Sequence, residues 1–158
     1  MTKKHTLLIT VANRVGVMAR ITGLLSSRGY NIESIIGCRT ENPDIYQIHL
    51  VTHGTREQIE QITKQIQKLI DTIKVVNISH RKGYLIYEFA LIKVQTRKSR
   101  SEILDQVHDF GAKIVDITQA NVTIDLSGPP QKIDRFLDQM KPFGIKEYIR
   151  SGHIAIST

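Results

Sequence analysis

Leu7-Leu8-Ile9-Thr10-Val11, then Ala12-Asn13-Arg14-Val15-Gly16, then Val17 through Arg28, then Gly29-Tyr30-Asn31-Ile32-Glu33-Ser34-Ile35-Ile36-Gly37-Cys38: this run forms one strand, loop, helix and strand unit. The opening apolar, largely β-branched run reads as a buried strand. A short loop with an amide side chain and a glycine follows. Val17, Ile21, Leu24 and Leu25 then share one helical face. Gly29 is placed to end that helix in a left-handed conformation, with Arg28 in its last turn. A second strand begins at Tyr30. Backbone N–H groups that open a helix suit a small anion such as a carboxylate. A plain strand-to-helix turn, needing Gly16 only for its backbone angles, meets the same residues.

Outward from this unit, Asn42-Pro43-Asp44 is a turn. The strand Ile45 to Thr52 follows, with Tyr46, Ile48 and Leu50 on one face and Gln47 and His49 on the other. Thr55-Arg56-Glu57-Gln58 has the spacing of a capping box. It opens a helix with Ile59, Ile62, Ile66, Leu69 and Ile70 in one stripe. Lys74 to Ile78 is a fourth strand. The order β-α-β-β-α-β is the ferredoxin-like arrangement, an antiparallel sheet with both helices on one face.

Ser79-His80-Arg81-Lys82-Gly83 breaks the pattern and reads as a boundary. The same order of elements then recurs. A long strand, Leu85 to Val94, leads to a second capping box at Ser99 and Glu102, and to a helix with Ile103, Leu104, Val107 and Phe110. Gly111 is its expected terminator. Strands at Ala112 to Ile117 and Val122 to Leu126 precede a Pro-initiated helix with Ile133, Phe136, Leu137 and Met140. Short strands at Ile145 to Ile149 and His153 to Ile156 close the chain. The expectation is an α+β protein of two ferredoxin-like βαββαβ domains, residues 1–79 and 80–158.

Composition bounds the function. The chain has 158 residues, a net charge of +7 and one cysteine. Cys38 has no partner within the chain, which points to a reducing compartment. Apolar content suits a packed core, and no apolar run reaches the roughly 20 residues of a membrane span. The first strand starts almost at Met1, which leaves no room for a targeting peptide. The basic residues are scattered, at Lys64 and Lys68, Arg81-Lys82 and Arg97-Lys98-Ser99-Arg100, as on a solvated surface. His49 and His53 are the closest histidine pair. On one strand they stand about 13 Å apart, too far to share a metal ion. No nucleophile–base pair, phosphate loop or zinc spacing is present. An RNA-binding module with the same element order stacks bases on aromatic side chains of adjacent strands. Here the strand Leu7 to Val11 has none and Ile45 to Thr52 has only Tyr46. The sequence favours a binding or regulatory chain over a catalyst.

The opening unit resembles an ACT domain, a ferredoxin-like module that binds amino acids. Arg28-Gly29-Tyr30-Asn31-Ile32-Glu33-Ser34, Glu60 to Gln65, Lys113-Ile114-Val115-Asp116, Pro142 to Glu147 and Arg150-Ser151-Gly152 extend the likeness over nearly the whole chain. Together they resemble the small, regulatory subunit of acetolactate synthase (acetohydroxyacid synthase). The resemblance implies a separate large subunit that carries thiamine diphosphate, Mg2+ and FAD, so no cofactor is expected in this chain. It implies activation of that subunit and feedback inhibition by valine. It also implies a homodimer through the ACT domains with the effector at their interface. By motif position the effector residues are Asn13 and Gly16 in the loop, and Asn31 and Ile32 in the second strand. Val15, Val17 or Ile32 would supply the apolar wall. The family's usual acidic residue before the Asn and Pro before the Gly are replaced here by Ala12 and Val15. From the residues alone, Asn13 equally suits a loop-capping amide, Asn31 a surface amide and Ile32 ordinary core. The implied compartment is a bacterial cytoplasm or, for a plastid-encoded chain, the stroma. Nucleic acid and membrane are not expected partners. A free-standing amino-acid sensor of another enzyme is the alternative.

Overall fold

The chain, described over residues 1–158 by a computed structural model, folds as two compact units. One comprises Met1–Leu85 together with Gly152–Thr158, and the other Ile86–Ser151.

The first unit runs β1 (Lys3–Ala12), α1 (Val17–Ser27), β2 (Ile32–Arg39), β3 (Ile45–Gly54), α2 (Arg56–Gln67) and β4 (Thr72–Asn77). Its antiparallel sheet has the order β2-β3-β1-β4, which leaves β2 at one edge. Leu7, Ile9, Val11, Ile48 and Leu50 face Val17, Ile21 and Leu25 of α1 and Ile59, Ile62 and Ile66 of α2. Both helices therefore cover one face of the sheet, as period-2 strands and period-3.6 helices require when they share a core. The expected box at α2 is complete. Thr55 accepts from the Gln58 N–H, and the Gln58 side chain accepts from the Thr55 N–H at 2.8 Å. The expected apolar stripe ends sooner than its spacing suggests. Helix α2 stops at Gln67, so Ile70 lies beyond its last turn and is 89% exposed.

The second unit runs β5 (Tyr84–Gln95), α3 (Arg100–Asp109), β6 (Lys113–Ile117), β7 (Asn121–Gly128), α4 (Pro130–Met140) and β8 (Ile145–Arg150). Its sheet follows β6-β7-β5-β8. Alternate residues of β5 and β7 (Ala90, Ile92 and Val94; Val122, Ile124 and Leu126) pack on Ile103, Val107, Ile133 and Phe136. Phe110 meets Phe136 edge to face, with centroids 5.2 Å apart. Gly111 takes φ +65° where a left-handed terminator was expected. Two details differ. Leu104 is exposed rather than in the core, and at Ser99 only half of the box forms, the Ser99 hydroxyl accepting from the Glu102 N–H.

The boundaries also differ from the expected 1–79 and 80–158. The chain's last strand, β9 (Ile154–Ser157), pairs with β5, while the segment Gly152–Thr158 groups by contacts with the first unit. Its preceding segment is tied there by side chains. His153 Nδ1 lies 2.6 Å from Thr6 Oγ1, and His49 Nε2 lies 3.1 Å from the Ala155 carbonyl. His49, on the face opposite Ile48 and Leu50, is consequently buried as well.

Candidate functional site

The loop between β1 and α1 is held by three other segments. Ala12 N–H donates to the Asp71 carbonyl and Asn13 N–H to the Asp44 carbonyl, both at 2.8 Å. The Asn13 side chain donates through Nδ2 to the Pro43 carbonyl at 3.0 Å. The loop-capping role is therefore real, and it leaves Asn13 Oδ1 as an acceptor. Gly16 is the N-cap of α1 at φ +85°, with no side-chain cap. That conformation costs an L-residue about 1–2 kcal/mol, which is why glycine stands here. The N–H groups of Val15, Gly16 and Met18 have no acceptor within the chain. They open a helix whose dipole favours an anion.

Three residues that the sequence reading did not single out set the charge of this loop. Asp71, 6% exposed, pairs with Arg20 and lies 3.5 Å from Arg14 Nη1. Two guanidinium groups against one carboxylate leave the loop net positive. Arg20 Nη1 lies 3.1 Å from where a Gly16 Cβ would stand. The signal was present as spacing: Arg20 follows Gly16 by four, one helical turn. Asp71 is distant in sequence and gave none.

A cleft of about 120 Å3 opens at this loop, bounded by Asn13, Gly16, Val17, Met18 and Tyr46. Complete small-molecule sites enclose roughly 300–1,000 Å3, so this cleft by itself is smaller than such a site. Val17 lines the cleft from a largely buried position, whereas Val15 is fully exposed.

Asn31 and Ile32 lie elsewhere. Ile32 pairs with Thr52 at one end of the β2–β3 ladder, and Arg39 with Tyr46 at the other. Ala12 pairs with Ile45, at the Arg39 end. Seven residue steps, roughly 23 Å at strand rise, separate the two ends. Asn31 is exposed and its carbonyl accepts from Thr52 Oγ1 at 2.6 Å. Ile32 is half-buried against the core. One copy of the chain brings Asn13, Val15, Gly16 and Val17 together and holds Asn31 and Ile32 apart from them. A cleft of about 400 Å3, bounded by Arg28, Tyr30, His53 and Gln58, lies on the chain beside Asn31.

The edge strand's acidic side chain is paired in place. Glu33 meets Lys4 at 2.6 Å and His53 at 2.5 Å. Burial raises its pKa, but those two partners override that and hold the carboxyl below its ordinary range. No three His, Cys, Asp or Glu side chains are grouped so as to hold a metal ion, and no helix is long and apolar enough to cross a membrane.

Known proteins share the sequence pattern and the fold of this chain. Residues 7–74 match the family described as "AHAS small subunit-like ACT domain", and residues 87–158 match "Small subunit of acetolactate synthase". The chain is 40% identical over 156 residues to the acetolactate synthase small subunit of Bacillus subtilis, covering 98% of this chain and 90% of that one. It is 38% identical over 154 residues to the probable acetolactate synthase small subunit of Archaeoglobus fulgidus, covering 97% and 96%. The crystal structure of the Thermotoga maritima small subunit superposes with a TM-score of 0.86 at 30% identity, over 99% of this chain and 98% of that one. The chain belongs to the family of acetolactate synthase small, regulatory subunits, with an N-terminal ACT domain.

Proposed function

We propose that this chain activates an acetolactate synthase large subunit and makes it sensitive to valine bound between the ACT domains of two copies. The observation that supports the reading is that Asn31 and Ile32 lie at one end of the sheet and the Asn13–Gly16 loop at the other. β2 is at the sheet edge and presents unpaired backbone groups. Its carboxylate at Glu33 is already neutralised. A two-fold axis through β2 pairs it antiparallel with the same strand of a second copy and exchanges its ends. Asn31 and Ile32 of one copy then stand near the Asn13–Gly16 loop of the other. A paired second β2 stands three strand spacings, about 14 Å, from β1, with β2 and β3 between, so the partner's Asn31 and the Asn13–Gly16 loop meet across the ends of those strands.

In this site the open N–H groups at Val15, Gly16 and Met18 receive the effector carboxylate, next to Arg14 and Arg20. Asn13 Oδ1 and the partner's Asn31 accept from its ammonium. Val17 and the partner's Ile32 enclose the isopropyl group, with Val15 at the mouth. Valine inhibits because it favours a state of the assembly in which the large subunit is less activated; a ligand shifts an equilibrium only by such a difference. Thiamine diphosphate, Mg2+ and FAD belong to the large subunit, and this chain contributes no catalytic group. The single cysteine suits a reducing compartment, a bacterial cytoplasm or a plastid stroma.

The test is reconstitution with the cognate large subunit, assayed with and without valine. Stimulation that valine reverses supports the reading. Asn31→Ala is expected to keep the stimulation and weaken valine inhibition by about tenfold, the loss of one hydrogen bond to a charged group. Stimulation without inhibition rejects the effector site. No stimulation favours a free-standing sensor instead.

A further inference from the structure

The segment Gly152–Ala155 forms a strap over the ACT sheet that the proposed function has not used. Three contacts pin it to three strands. His153 meets Thr6 on β1 at 2.6 Å, and the Ala155 carbonyl meets His49 on β3 at 3.1 Å. The third contact is with the edge strand. Gly152, at φ +85°, lies so close to Ser34 that a Cβ there would stand 2.3 Å from Ser34 Oγ and 2.5 Å from Ser34 Cβ. No side chain fits between them. Gly152, His153, Ala155, Thr6 and His49 are all buried.

Ser34 occupies a special place in β2. The β2–β3 register shifts between Ile32 and Ser34, so a bulge at Glu33 separates the expected effector residues from the strap contact. Bulges re-aim the side chains beside them and are points where a strand changes course. The path from Asn31-Ile32 through the bulge to Ser34 and Gly152 is thus four contiguous steps. The strap itself continues directly from β8, whose Arg150 is held by the Glu88 and Asp134 carboxylates.

We propose that Gly152–Ala155 is the coupling element of this subunit: valine bound against Asn31 and Ile32 resets the bulge at Glu33, presses Ser34 against Gly152 and changes the docking of the strap. This rests on the valine reading above. It supplies what that reading lacks, an element with two arrangements that the effector biases. The strap serves as that element because its contacts fall on three different strands. A displacement of β2 alone cannot be followed by the anchors on β1 and β3.

The experiment uses the holoenzyme reconstituted from the full chain and its large subunit, with L-valine as the probe. Amide deuterium exchange is followed over residues 151–158 with and without L-valine. L-valine binding and inhibition are measured for Gly152→Ala, for Gly152→Ala with Ser34→Gly, and for Thr6→Val. The exchange rate of the terminal segment is expected to change with L-valine by about threefold or more. Gly152→Ala is expected to bind L-valine within about threefold of the unsubstituted chain and to need about tenfold more for half-inhibition, the size of an ordinary coupling. Ser34→Gly restores part of the inhibition by making room for the added methyl group, the left-handed backbone strain at residue 152 remaining. Thr6→Val, which loosens the strap without crowding it, moves inhibition in the same direction as Gly152→Ala. Unchanged inhibition in Gly152→Ala and Thr6→Val overturns the strap proposal, as does terminal exchange indifferent to L-valine in a chain that binds it. An unsubstituted chain that binds no L-valine overturns the effector site, and this coupling with it.

Discussion

Replacing Gly16 by alanine and by aspartate separates two consequences of the loop geometry. Gly16 sits at φ +85°. Either substitution forces an L-residue into the left-handed region at a cost of about 1–2 kcal/mol, so both should lower the urea midpoint by the same amount. That strain is present with and without effector and largely cancels from the binding equilibrium. The added carboxylate does not cancel. At about 4 Å from an effector carboxylate it repels by about 1 kcal/mol in full solvent and about 4 kcal/mol at an effective dielectric constant near 20. The loop is exposed, which favours the lower part of that range. Arg20 stands 3.1 Å from the new Cβ and offsets a part, since an exposed pair is worth at most about 1 kcal/mol. A net of about 1 kcal/mol remains, or about fivefold in Kd beyond the alanine variant. Calorimetric titration of valine into the unsubstituted, Gly16→Ala and Gly16→Asp chains gives the comparison. Equal valine affinity in Gly16→Asp and Gly16→Ala would refute the placement of the effector carboxylate at the α1 N-terminus.

The remaining expectations concern stability. Thr55→Ala removes the acceptor for the Gln58 N–H and should cost about 1 kcal/mol in a denaturant titration, with folding cooperativity intact. Phe136→Ala empties the centre of the second core, where Phe136 is fully buried against Phe110; a loss of about 3–5 kcal/mol is expected, with the ACT sheet's amide signals retained. Burial lowers the pKa of His49, opposed by its contact with the Ala155 carbonyl, and that of His5, helped by the neighbouring His80. Because the unfolded chain takes up these protons first, stability is full above the ordinary histidine pKa of about 6.5 and falls as pH drops through it. The urea midpoint should therefore be lower at about pH 5.5 than at about pH 7.5, and His49→Gln should flatten that slope; a midpoint independent of pH over this window would exclude it.

Most of the element order was legible because it is written locally. The stripe Ile133, Phe136, Leu137 and Met140 is buried as its period demands, and Thr55 with Gln58 closes a box that needs only four consecutive residues. Errors arose where a local pattern ran past its own element. Ile70 continues the spacing of Ile59, Ile62 and Ile66, but the backbone leaves the helix at Gln67 and carries it into solvent. Leu104 departs for another reason: it stays within α3, adjacent to buried Ile103 but turned off the core face. In the candidate site, Gly16 and Asn13 were visible as loop chemistry. Asp71 was not, because its partners Arg14 and Arg20 lie more than fifty residues earlier and meet it only when β4 pairs with β1.

By itself the sequence determined two βαββαβ repeats, their caps and their apolar faces, since backbone propensity and hydrophobic period act over a few residues. Its family likeness covered the chain from end to end. Tertiary structure alone decided what depends on ladders and long-range contacts. It put Asn31 and the Asn13–Gly16 loop at opposite ends of one sheet and buried Asp71 between two arginines. It also returned the last seven residues to the first unit, where a glycine is required because Ser34 leaves no room for a Cβ. Such contacts join residues up to 147 positions apart; no period or cap in the chain encodes them, because the interaction exists only once the strands have paired.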